Sequence, residues 1–98
     1  MVSAKPNKAR LAGTVREVRA DDRRPDRVDL VMTVDRADDV EGDANLLAHT
    51  SGQELTVTTD ARDLAELGLE RGDRVVVDAE VRGPGAVWSR PRTLRRDR

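Results

Sequence analysis

Thr56–Val81 reads TVTTDARDLAELGLERGDRVVVDAEV, and its hydrophobic period switches from two to helical and back to two. Just before and into it, Leu55 and Val57 alternate with Glu54, Thr56 and Thr58, the pattern of a half-buried strand. Thr59 or Asp60 can then cap a helix of about two turns running to Leu67, with Leu64 and Leu67 facing inward. Gly68 stands where a left-handed residue ends a helix, Leu69 returns to the core, and Glu70–Asp73 turns the chain. The following strand places Val75, Val77, Ala79 and Val81 inside and Val76, Asp78, Glu80 and Arg82 outside.

Working outward toward the N-terminus, Val28, Leu30, Met32 and Val34 alternate with Asp29, Val31, Thr33 and Asp35, a second clear strand. Before it, Asp21–Asp26 carries Pro25 and reads as a turn. Arg10–Ala20 shows Leu11, Gly13 and Val15 on one face, but the alternation slips by one residue near Arg16 and Glu17. A slip inside a continuous strand is the mark of a β-bulge, and an interior glycine marks a tight bend or a close backbone approach. Between the strands, Arg36–Asp43 is an acidic loop, and Ala44–Thr50 is too short to assign to a strand or a helical turn. Toward the C-terminus, Gly83-Pro84-Gly85 turns the chain into a fifth strand, Ala86–Ser89, which Pro91 stops.

The expected organisation is therefore a flexible lead-in over 1–9, one domain over 10–91 and a basic disordered tail over 92–98. A chain of 98 residues supports a single modest core. It has no Cys, which excludes disulfides, thiolate metal sites and thiol chemistry, and its one His excludes a multi-histidine centre. No apolar run approaches the ~20 residues that span a bilayer, and no signal-peptide core is present, so a cytoplasmic protein without membrane contact is expected. Trp88 is the sole aromatic residue, so branched aliphatics must fill every layer of the core. Trp88 itself serves either as a plug at one end of the barrel or as a surface stacking residue.

Charge is balanced overall but not along the chain. Residues 1–27 hold eight basic against four acidic side chains, residues 28–80 four against fourteen, and residues 81–98 six against one. The ends are basic and the middle acidic. Brought together, the ends would form one positive patch suited to phosphates; left apart, they are solvated tails.

Three strands, a helix, then two strands is the order of the oligonucleotide/oligosaccharide-binding (OB) barrel, expected here as a mostly β, five-stranded antiparallel barrel with one short helix between strands three and four. In such a barrel strand one lies beside strand four. Arg10, Arg16, Arg19, Arg82 and Arg90 would then converge with Trp88 on a strand 1/4/5 surface that binds single-stranded nucleic acid or another polyanion.

Two segments, Arg10–Val18 (with GTVREV) and Thr56–Val81 (with TTDARDLAELGLERGDRVVVDAEV), also resemble the TOBE and molbindin family of oxyanion-binding domains. That resemblance implies molybdate or tungstate binding, an oligomer with sites between subunits, and an anion loop at Thr58, Thr59, Ala61 and Arg62. Asp60 and Asp63 depart from it by placing negative charge beside that loop. A third reading is an accessory subunit that binds a protein through the acidic 35–43 loop. The acidic run Asp38–Asp43 lacks calcium-loop spacing, and His49 has no Ser or Cys partner set nearby. The chain is expected to be a non-enzyme without cofactor or metal; oligomeric state is not encoded in any local pattern.

Overall fold

The computed structural model describes residues 6–20 and 23–97. Its elements are β1 (Ala9–Ala20), β2 (Arg27–Asp39), a single 3-10 turn at Ala48–Thr50, β3 (Glu54–Asp60), α1 (Ala61–Leu67), β4 (Arg74–Gly83), β5 (Ala86–Ser89) and β6 (Arg95–Arg96). The sheet runs β1-β2-β3-β5-β4 and closes through β1–β4, giving a five-stranded barrel with α1 between β3 and β4. The barrel is mixed. β3 and β5 run parallel, in register at Thr58 and Trp88, which corrects the expectation of an antiparallel barrel. The physical reason is connectivity: α1 and β4 intervene, so β5 reaches β3 as a crossover neighbour and not through a hairpin.

Local signals in the sequence map directly onto backbone geometry. The slip at Arg16 is a bulge, since Val15 pairs with Met32 while Glu17 pairs with Val31. Beyond it β1 leaves β4 and continues only beside β2. Gly13 sits where β1 passes hard against β2: a Cβ there would run into the Thr33 carbonyl oxygen and the Met32 methyl. Asp60, not Thr59, caps α1, its carboxylate accepting from the Arg62 N–H at 2.8 Å. Gly68 ends the helix in the left-handed region at φ 58°.

The core is aliphatic throughout. Leu11, Val15, Leu30, Met32, Val34, Val57, Val75 and Val77 are fully enclosed, with Leu47, Leu64 and Leu94 packed around them. Burying a Val or Leu side chain typically contributes ~1.5–3 kcal/mol, which compensates for the missing aromatics by number.

Three further expectations change. β2 does not stop at Asp35 but extends to Asp39, its charged end paired with Ala9–Ala12 of β1. Ladder bonds use backbone groups, so an exposed acidic strand end pairs as readily as an apolar one. The segment after Pro91 is not a free tail over its described part. Leu94 is 7% exposed within the core, and Arg95 and Arg96 pair with Val76 and Val75. Val76 and Asp78, assigned to the outer face, are accordingly covered, at 7% and 8% exposure. No helix among the described residues is long and apolar enough to cross a membrane.

Candidate nucleic-acid interface

Along β5, Val87 and Ser89 point inward and are buried, which turns Trp88 to the outer face of the barrel. Trp88 is therefore not an end plug. Pairing places it beside Thr58 of β3 on one side and Glu80 of β4 on the other. The row continues through Thr58 to Asp29 of β2 and Arg19 of β1. Two guanidinium groups lie against the indole: Arg27 at 4.8 Å and Arg82 at 4.4 Å from the ring centroid. Each such contact is worth ~0.5–1 kcal/mol at an exposed site.

Carboxylates are built into the same surface. Glu80 accepts from Arg82 at 3.0 Å and from Arg90 at 3.5 Å. Asp29 accepts from the Thr58 hydroxyl at 3.3 Å. Arg27 also lies 3.8 Å from Asp26, so Arg27, Arg82 and Arg90 share this surface with Asp26, Asp29 and Glu80, three positive charges against three negative. The surface is formally neutral, and its distinction is two guanidinium groups held against one aromatic ring.

Of the other arginines expected at this site, Arg10 and Arg16 lie elsewhere, and Arg19, at the far end of the row, is engaged by Glu17. Arg10 is bound to Asp78, its Nε at 2.9 Å from Oδ1, and that carboxylate holds the guanidinium still more firmly protonated. Arg19 pairs with Glu17 at 2.9 Å, which pulls the Glu17 carboxyl below its usual range. Arg16 lines a separate cleft with Glu17, Val18, Val31, Glu54, Leu69 and Arg71. The register explains the separation. β1 pairs with β4 only from Thr14 opposite Arg74 to Ala9 opposite Ala79, so Arg82 lies beyond the end of β1. From Arg74 to Arg82 the strand path is about 26 Å. Arg16 and Arg82 therefore belong to opposite ends of β4, and the expected convergence of Arg10, Arg16, Arg19, Arg82 and Arg90 on one patch does not form.

The residues of the oxyanion loop are also placed, and their hydroxyls and helix-end N–H groups are spent. Thr59 is fully buried, its hydroxyl donating to the Val28 carbonyl at 3.0 Å. The Ala61 N–H donates to the Asp26 carbonyl at 2.9 Å, and the Arg62 N–H to Asp60. The Thr58 hydroxyl donates to Asp29. An anion arriving at this helix end would have to displace the chain's own acceptors, two of them carboxylates.

Arg27 is the site residue that local pattern does not reveal. It follows the Pro25 turn and looks like loop charge; only the β2–β3–β5 neighbourhood carries it over Trp88. No protein-family model matches the chain, and no curated protein matches it either.

Proposed function

We propose that the chain is a non-catalytic, OB-like binding module that takes single-stranded nucleic acid across the outer face of β2, β3, β5 and β4. The closed order β1-β2-β3-β5-β4, with a helix between the third and fourth strands, is that of OB barrels, whose ligands cross strands two and three. The observation that carries the reading is Trp88, the sole aromatic residue, half-buried on that face with Arg27 and Arg82 against its ring. A base stacked on the indole takes the place of one guanidinium, which then turns to the adjacent phosphate. Base–aromatic stacking supplies ~1–3 kcal/mol, and it is tolerant of sequence. Asp26, Asp29 and Glu80 limit the electrostatic part, so affinity is modest and involves few phosphates.

Because the chain has one Trp, its fluorescence reports on this site alone. Titration with oligo(dT) or oligo(U) at low salt is expected to quench Trp88, with a logarithmic salt slope of about −2 if three arginines meet phosphates. Trp88→Ala, followed by an end-labelled oligonucleotide, should bind about tenfold or more weakly. An unchanged Trp88 signal at low salt, with no retention of labelled DNA or RNA, overturns the reading.

A further inference from the structure

A second surface is apolar. Between the Leu46–Thr50 segment, β3 and the β4–β5 turn is an open cavity of about 490 Å³ lined by Leu46, Leu47, Leu55, Val81, Pro84 and Val87. Leu46 is 43% exposed, one of only two large apolar side chains so exposed among the described residues. His49 and Thr50 are the polar side chains on the lining, and the Thr50 hydroxyl is already spent on the Leu47 carbonyl at 2.7 Å. Ligand sites of this size normally combine an apolar lining with a few polar groups that fix orientation, and here His49 alone is left for that task. An apolar side chain presented by a protein fits such a lining better than a polar metabolite does.

The wall that carries Leu46, Leu47 and His49 is strongly one-signed. From Ala37 to Gln53 the chain has four carboxylates (Asp38, Asp39, Glu41 and Asp43) and neither Lys nor Arg. The Asn45 amide ties Asp39 to this wall at 2.9 Å, next to Leu46 in sequence. Of these acids, Asp43 reaches Lys8 at 3.7 Å and Asp38 reaches Arg36 at 3.8 Å, while Asp39 and Glu41 have no cation within salt-bridge distance among the described residues. Charge complementarity therefore selects a cationic occupant and disfavours nucleic acid.

We propose that this cavity docks a basic amphipathic segment of another protein, one or two large apolar side chains seated on Leu46, Leu55 and Val87 and flanking Lys or Arg facing Asp39 and Glu41. The lining shares no residue with the Trp88, Arg27 and Arg82 cluster, and the proposal stands or falls independently of nucleic-acid binding. The probes are two synthetic amphipathic peptides with identical Leu spacing, one with Lys and one with Glu at every other polar position. Methyl NMR of the full chain is expected to show shifts at Leu46, Leu55, Val81 and Val87 with the Lys peptide and none with the Glu peptide. Leu46→Ser, at an exposed position that the fold does not need, should weaken binding about tenfold. Asp39→Asn with Glu41→Gln should weaken it several-fold and flatten its salt dependence. Equal response to both peptides, shifts confined to another surface, or unchanged affinity in Leu46→Ser would overturn the proposal. So would sedimentation showing that a second copy of the chain already covers Leu46.

Discussion

At the level of single residues, Gly13 and Val77 each hold the barrel through close packing. Gly13 permits β1 to cross against the Thr33 carbonyl, and the obstacle to any side chain is backbone rather than a movable rotamer. Gly13→Ala is expected to cost about 1–3 kcal/mol or more through forced backbone displacement, read as a lower denaturant midpoint. Val77 is fully enclosed, so Val77→Ala should cost ~1–3 kcal/mol by leaving a cavity. Val76 is also covered, but its in-register neighbours are Ala12 and Arg95 on the outer face. Val76→Ala should therefore destabilise measurably, though less than Val77→Ala. Equal midpoints for the two variants would contradict the assignment of Val77 to the core face.

At the scale of elements, the C-terminal strand and α1 stabilise each other. Leu94 fills the core, and Arg96 donates to Asp73 at 2.8 Å and to the Leu67 carbonyl at the helix end at 2.7 Å. A cation at a helix C-terminus also opposes the helix dipole favourably. Truncation after Pro91 removes this whole set, and the expected loss is about 2–4 kcal/mol, or a fall in Tm on the order of 10 °C. An unchanged melting curve would show that β6 contributes nothing. Asp73 gives the same contact a pH signature. The Glu70 N–H first, and Arg96 second, hold its carboxyl below the ordinary range. A depressed folded pKa means the stabilisation is full above the ordinary carboxylate value and fades as pH falls through the folded one. The Tm difference between wild type and Asp73→Asn should accordingly shrink as melts are taken from neutral into strongly acid pH. A difference constant with pH would assign the effect to geometry alone.

Over the whole molecule, charge is organised into paired clusters instead of one field. Arg10 belongs to Asp78, Arg19 to Glu17, and Arg82 with Arg90 to Glu80, while Arg16 stands apart in its own cleft. This predicts a sharp contrast between two charge reversals in the oligonucleotide titration. Arg82→Glu should weaken binding about tenfold and lower the salt slope, because it removes a cation from the Trp88 ring and leaves Glu80 under-compensated. Arg16→Glu should leave affinity unchanged. Equal losses in the two variants would mean that the ligand spans both ends of β4.

Much of this architecture is written locally. The helix stop at Gly68, the turn at Glu70–Asp73, the bulge beside Arg16, the close approach at Gly13 and the inward faces of β2 and β4 all follow from side-chain period and backbone permissiveness within a few residues. Those properties are carried by each residue irrespective of its distant neighbours. What the tertiary structure alone decided was adjacency. Closure of β3 onto β5 set Arg27 over Trp88, the β1–β4 register put Arg16 and Arg82 at opposite ends of one strand, and α1 together with β4 gave Leu94 a place to bury. Basic side chains after Pro91 are compatible with solvent and with a strand edge alike, since a ladder bonds backbone groups and selects partners by register. That choice exists only once the barrel has closed.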